Sequence, residues 1–175
     1  MKTLLVAVQE VDRHVVSDAA GGQFNIVTAT SLLEARIAMR CNIDGIVCGV
    51  HFNEGNMLSF LDDVRLNPKT ANIPFVCVKG SAGRLHPESY VATMMVCRQR
   101  EVEYIDLTQM IDQYGCEHAY GEMRKRLHDI LSEQSRERTA SLPAPGVDEG
   151  TGEPPASVAS PLTSSCTGCS RYPSL

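Results

Sequence analysis

The CxxC motif Cys166-Thr-Gly-Cys169 is the pair of side chains most easily recognised as a candidate for metal or redox chemistry. A structural zinc site needs four ligands in tetrahedral geometry, usually from two such pairs, and the sequence has no second pair. A thioredoxin-like redox motif would lie between a strand and a helix. This one lies in a segment rich in Pro, Gly and Ser. We interpret the motif as incidental, with a weak redox or metal contact as the alternative.

The histidines do not form a metal-binding pattern with their neighbours. Cys116 and His118 are two positions apart and do not share a helix face, and His118 and His128 are not four apart. We therefore expect surface histidines and no metal site. His51 follows an apolar segment, where it would donate into a pocket or titrate near neutral pH, or else be an ordinary loop residue.

The composition excludes several classes of function. The net charge of −5 argues against non-specific nucleic-acid binding. No apolar run approaches the roughly 20 residues of a membrane span, and the run from Leu4 to Val8 is too short for a signal peptide because Gln9 and Glu10 follow it. Seven cysteines, several in apolar segments, indicate free thiols in a reducing cytosol. We therefore expect a cytoplasmic protein that binds neither DNA nor membranes.

Compact apolar segments alternate with helical patterns over residues 1–137. Strands are predicted at residues 3–8, 24–28, 45–50, 74–78 and 103–107. Helices are predicted at 11–20, 31–40, 56–67, 89–98 and 116–135. The second helix opens with a capping box of Ser31 and Glu34, and we expect Leu33, Ile37 and Ala38 to face the core. Near-continuous apolar strands predict an α/β fold, a parallel five-stranded sheet with helices on both faces. Residues 138–175, rich in Pro, Gly and Ser, are predicted to be a disordered tail.

The segment at residues 61–80, LDDVRLNPKTANIPFVCVKG, resembles the receiver domain of two-component response regulators. It is similar to the third helix of that family, its Asn-Pro loop and the Ile-Pro opening of strand four. Tyr104 stands where many receivers carry an aromatic residue on strand five. The resemblance implies a CheY-like, flavodoxin-like (βα)5 doubly wound sheet and a role in phosphorelay signal transduction.

The resemblance also implies a phosphorylation site at the carboxyl ends of the strands. Receivers use two acidic residues after strand one and an aspartate after strand three to hold magnesium, and the aspartate accepts the phosphoryl group. A hydroxyl after strand four and a lysine after strand five complete the site. The matching positions here, with the neighbouring histidine, form a predicted degenerate pocket: Val8, Gln9, Gly49, His51, Lys79 and Leu107. We therefore expect a pseudo-receiver with no catalytic residue, no bound metal and no cofactor, and not an enzyme.

One substitution in this pocket introduces a cation. Lys79 stands where receivers carry the hydroxyl, and it is expected either to pair with Glu10, Glu54 or Asp106 or to point into water. Ligand sites of such sheets lie at the carboxyl ends of the strands, so the pairing would place a fixed charge in the pocket.

Several exposed groups indicate a partner-binding face. The resemblance gives helix four, strand five and helix five an output role, with candidate residues Tyr90, Met94, Met95, Tyr104, Arg124 and Lys125. The basic run 124–126 is interpreted as an ordinary solvated face, with a patch for an acidic partner as the alternative. The predicted function is a non-catalytic signalling domain that binds another signalling protein: a kinase, an output protein or a second copy of itself. The alternative is a flavodoxin-like ligand-binding or redox-responsive protein, although Gly21-Gly22 precedes a strand and so does not form a phosphate loop.

Overall fold

The computed structural model describes residues 1–80 and 87–140. They belong to a compact unit that spans Met1–Leu142. The last helix continues across residue 137, and residues 141–175 lie outside the described residues. The predictions of a disordered tail and of an incidental Cys166–Cys169 pair therefore stay predictions.

Five parallel strands form one sheet in the order β2-β1-β3-β4-β5. The strands are β1 Thr3–Ala7, β2 Asn25–Ala29, β3 Gly45–Gly49, β4 Phe75–Lys79 and β5 Glu103–Asp106. The register places Val6 beside both Thr28 and Val47, and Cys48 beside Cys77. This is the predicted flavodoxin-like order, in which the chain moves to one side of β1 and then to the other.

Two hydrophobic clusters explain why the central strands are apolar without alternation. Leu5 and Ala7 belong to one cluster, while Leu4, Val6 and Val8 belong to the other. All five residues of β3 are buried. A parallel strand covered on both faces has no solvent side, so polar alternation would leave unpaired polar groups in the core.

The helices divide between the two faces. A 3-10 turn at Glu10–Asp12 leads into α1 Arg13–Ala20. The others are α2 Leu32–Ala38, α3 Phe52–Gly55, α4 Met57–Leu66, α5 Pro87–Gln99, α6 Leu107–Tyr114 and α7 Cys116–Ala140. Buried residues of α2, α3, α4 and α5 join one cluster, and those of α1, α6 and α7 join the other. In the part of the chain that the structure describes, no helix is long and apolar enough to cross a membrane.

The predicted inward face of α2 is wrong in part. The capping box is present, since the Ser31 side chain accepts from the Glu34 backbone and Glu34 reaches back. However, Leu33 and Ile37 are 69% and 52% exposed, and Ala35 and Ala38 are buried. Small side chains at positions i and i+3 face the sheet here, so the two larger residues lie on the solvent side.

The helix α6 was missed from the sequence. Leu107 was assigned to the end of the fifth strand, but the strand ends at Asp106 and Leu107 begins the helix. The Asp106 carboxylate accepts a hydrogen bond from the Gln109 backbone, which caps the helix and ends the strand. Gly115, at φ +80, then separates α6 from α7.

Candidate functional site

The carboxyl edge of the sheet is the expected ligand region. In doubly wound sheets the crevice opens where the chain direction reverses, and here that point lies between β1 and β3. Val8 follows the first of these strands and Gly49 ends the second. The side chains around these two positions therefore decide what the crevice can hold.

The Val8 side chain lies against the end of β3. Val8 is fully buried, and a Cβ atom added to Gly49 would lie 3.3 Å from Val8 Cγ1. Ordinary carbon–carbon contacts are about 3.5–4.0 Å. The Val8 backbone also donates to the Ala29 carbonyl at 3.0 Å, which extends the sheet pairing past β1. The end of β3 has little room for a larger side chain while Val8 keeps this position.

A charged pair lies at the ends of β4 and β5. Lys79 and Asp106 are register partners, and Lys79 Nζ donates to Asp106 Oδ2 at 2.8 Å. Both side chains are mostly buried, with 20% and 22% exposed. The predicted alternative partners are not used: Glu54 is exposed, and Glu10 pairs with Arg13 at 2.9 Å. Of the two alternatives left open for Lys79, the structure shows the ion pair, with Asp106 as the partner, and not a side chain pointing into water.

Tyr90 joins this pair to the predicted pocket histidine. Lys79 Nζ lies 4.2 Å from the centre of the Tyr90 ring, at cation–π distance. His51 Nε2 lies 3.4 Å from the Tyr90 hydroxyl, and the two rings meet edge to face. His51, Lys79, Tyr90 and Asp106 form one connected group, which we call the edge cluster. Tyr90 was predicted to belong to a partner face, and its connection to the pocket was not predicted.

A buried acid at this edge was also missed. Asp12 is 2% exposed, and its carboxyl atoms lie 2.7–2.9 Å from the position of a Cβ on Gly80. The Gly80 carbonyl accepts a 2.6 Å hydrogen bond from Thr108 Oγ1. The turn after β1, the end of β4 and the start of α6 therefore meet at Gly80. The available signal was a glycine next to a strand end, a position where backbone or side chain commonly approaches closely.

The connection after β3 has unusual backbone geometry. Asn53 and Glu54 have φ of 47° and 60°, and Gly55 has φ of 88°. The left-handed region is costly for residues with a side chain. Strain of this kind clusters at functional sites, and here it lies directly after His51.

Several phenol and thiol groups near β4 and β5 have shifted pKa values. Burial raises the pKa of Tyr104 well above its ordinary value, and the nearby Asp106 carboxylate adds to the effect. Burial also raises the pKa of the Cys48 thiol. Cys77 and Cys97 are likewise buried and free, as predicted for core thiols. All four side chains belong to or pack against the same hydrophobic cluster, and the hydrogen bond from the Cys77 side chain lowers the pKa of Cys97.

The predicted partner-face residues lie in two places. Tyr90 and Tyr104 pack against the same cluster, and Met94 and Met95 are 47% and 59% exposed on α5. The basic pair, in contrast, lies on α7, on the opposite side of the sheet. The Arg124 guanidinium lies near Gly22, which precedes the edge strand β2: a Cβ atom added to Gly22 would be 3.9 Å from it. The pair Arg124 and Lys125 therefore belongs to another surface.

The remaining candidate ligands stay apart. His118 and His128 are exposed on α7, and the side chain of His118 stacks near Tyr114 at 5.2 Å. Gln9 precedes the 3-10 turn, and Leu107 is buried at the start of α6. Within the described ranges, no three His, Cys, Asp or Glu residues converge as metal ligands.

No protein-family model matches the chain, and no curated protein matches it. Solved structures do. The chain is similar to the phosphorylated cyanobacterial phytochrome response regulator RcpA, with 16% identity, a TM-score of 0.55 and coverage of 82% of this chain and 100% of that one. A signal receiver domain from Pseudomonas fluorescens Pf-5 gives 12% identity and a TM-score of 0.55, over 79% of this chain and 93% of that one. A response regulator from Thermotoga maritima gives 15% identity and a TM-score of 0.51, over 75% of this chain and 99% of that one. At these identities the likeness concerns the fold, and the chain has the fold of response-regulator receiver domains.

Proposed function

We propose that this chain is a receiver-like signalling domain that binds another protein and accepts no phosphoryl group at the end of β3. The main observation behind this proposal is that the Val8 side chain lies against Gly49 at the switch point of the sheet. A magnesium-dependent phosphoryl acceptor needs carboxylates there, because magnesium binds through hard oxygen ligands. Valine and glycine supply none.

The ion pair between Lys79 and Asp106 in the edge cluster supports the same conclusion. Stabilising a transferred phosphoryl group requires a positive charge free to meet its oxygens. The Lys79 ammonium is already neutralised by Asp106 and stacked on Tyr90. Recruiting it would break a partly buried ion pair and leave Asp106 unpaired next to an incoming anion. In this account the cluster fixes the ends of β4 and β5 and the first turn of α5.

The exposed face of α5 is the proposed partner surface. Val91, Met94 and Met95 are 51%, 47% and 59% exposed within two turns. Methionine adapts to varied partner shapes, and exposed apolar side chains of this density favour a protein partner. The partner is another signalling protein: a kinase, an output protein or a second copy of this chain.

Phosphoryl transfer is tested by incubating the full-length chain with magnesium and acetyl phosphate, followed by intact-mass analysis. A conventional receiver treated in parallel is the positive control. We expect no acid-labile mass increase on this chain. A stoichiometric increase, lost after brief hydroxylamine treatment, would show an acyl phosphate and overturn the proposal.

The partner surface is tested by Met94→Lys and Met95→Lys. Leu66→Lys is the matched control, because Leu66 is 82% exposed at the end of α4 and receives the same charge. Self-association is measured by sedimentation, and binding to candidate kinases and output proteins by calorimetry. We expect the α5 variants to weaken the complex and Leu66→Lys to leave it unchanged. Equal effects of all three would contradict the assignment of this surface.

A further inference from the structure

A second candidate site lies on α7, away from the carboxyl edge. A cavity of about 410 Å³ is lined by Gln23, Gly121, Arg124, Lys125 and His128. Four of these residues follow the spacing i, i+3, i+4 and i+7, so they share one face of the helix. Gln23 precedes β2 and forms the facing wall. The volume falls within the range of about 300–1,000 Å³ typical of small-molecule pockets.

The cations of this cavity have few direct partners in the fold: the Arg126 hydrogen bond is the main cause that lowers the pKa of Glu122, and the charge of Lys125 adds to it. Arg126, the next residue along the helix, forms ion pairs with Glu122 and Glu103. Among the residues whose side chains the structure describes, no carboxylate forms an ion pair with Arg124 or Lys125. No acidic residue lines the cavity. On a chain with a net charge of −5, a concave surface lined only by cationic and neutral groups favours an anion.

Gly121 provides the floor of this cavity. Glycine weakens a helix relative to alanine, and packing does not require it here, since an added Cβ would meet nothing within 4 Å. Its effect is to leave open the space in front of Arg124 and Lys125. A side chain at this position would occupy part of the volume in which a ligand could lie.

We propose that this face of α7 binds the phosphate groups of a small phosphorylated molecule. Phosphate oxygens match the planar fork of an arginine and the point charge of a lysine. The imidazole of His128 and the amide of Gln23 add hydrogen-bonding groups around the rim. The cavity has room for the organic part of such a molecule beside its phosphates. This inference is independent of the proposed function, because it uses neither the edge cluster nor the α5 surface.

The test uses the full-length, isotope-labelled chain at about 0.15 M salt, which screens weak surface attraction. Inorganic pyrophosphate and ADP are titrated separately while amide shifts are followed. We expect saturable shifts at residues 22–24 and 121–128 with both probes, and a lower dissociation constant for ADP because its nucleoside adds contacts. Tighter binding of pyrophosphate than of ADP would overturn the inference of a small organic ligand.

A charge-matched pair of variants separates a site from general electrostatics. Arg124→Gln with Lys125→Gln and Arg98→Gln with Arg126→Gln each change the net charge from −5 to −7, because each removes two positive charges. We expect the first double variant to weaken binding by about tenfold or more, and the second to leave it near wild type. Gly121→Leu fills the floor without changing charge and is expected to weaken ADP binding as well. Equal loss in both double variants, no saturation, or binding only of an acidic peptide would overturn the proposal.

Discussion

Substituting Gly49 at the end of β3 tests how closely this position packs against Val8. Gly49→Asp restores the side chain that receivers use as the phosphoryl acceptor. In this chain its Cβ would lie 3.3 Å from Val8 Cγ1, tighter than an ordinary contact, in a strand buried at every position. The new carboxylate would enter a crevice lined by valine, without a metal or a free cation beside it.

The magnitude follows from these two effects. Overpacking of a core costs about 1–3 kcal/mol, and Gly49→Ala isolates this effect because it adds only the Cβ. We expect about 1 kcal/mol for alanine and about 3 kcal/mol for aspartate, since the charge is also poorly solvated. For a domain of this size, about 3 kcal/mol corresponds to a fall in Tm of about 6–12 °C.

Urea and thermal unfolding of the wild type, Gly49→Ala, Gly49→Asp, Val8→Ala and the double variant Val8→Ala with Gly49→Asp measure these effects. Removing the valine methyls should recover part of the loss, so the double variant should be more stable than the sum of the single effects predicts. We also expect Gly49→Asp alone to remain without bound magnesium. An aspartate variant as stable as wild type, with no coupling to Val8→Ala, would refute the packing argument.

Three further predictions concern particular backbone positions and one carboxylate. Gly80→Ala places a Cβ 2.7 Å from the Asp12 carboxyl, so we expect a loss of about 1–3 kcal/mol in urea unfolding, partly relieved in combination with Asp12→Ala; simple additivity would contradict the contact. Glu54→Gly relieves a residue at φ 60° and should raise stability by about 1 kcal/mol, whereas Glu54→Ala should not; equal gains would point to charge instead of backbone. Hydrogen bonds, the largest from the Thr30 backbone, hold the pKa of Glu34 below its ordinary value of 4.5. The folded pKa is therefore the lower one, so Glu34 stabilises above the unfolded pKa and this stabilisation is lost as pH falls through the folded pKa. The stability deficit of Glu34→Gln should thus shrink from about pH 7 to about pH 3, and a deficit independent of pH would contradict the cap.

The sheet could be predicted because its signals are local. Uninterrupted apolar strands, the capping box at Ser31 and helical spacing on α4 and α7 each require only a short stretch of sequence. The start of α6 was harder, because Asp106 both ends β5 and caps the helix, and an apolar Leu107 continues the pattern of a strand. The predicted inward face of α2 was wrong for Leu33 and Ile37, because large apolar side chains were expected in the core. The buried side chains of this helix are Ala35 and Ala38.

The sequence predicted which residues lie at the ends of the strands, but it did not predict which of their side chains contact one another. The residues at the strand ends were identified from element order, and Asp106 was among three possible partners for Lys79. Choosing among them required the register that places Lys79 beside Asp106. The approach of Asp12 to Gly80 and of Tyr90 to His51 joins residues distant in sequence. No local pattern carries that information, because such contacts depend on how the elements pack.

The most direct test of the central claim is the amide spectrum of the labelled chain with and without magnesium and beryllofluoride, a mimic of a bound phosphoryl group. We expect no saturable shifts at residues 8–12, 48–55, 79–80 and 106–108, because glycine ends β3 and Lys79 is held by Asp106. Saturable, magnesium-dependent shifts at these residues would show that another group accepts the phosphoryl mimic, and would contradict the account of a receiver fold without a phosphorylation site.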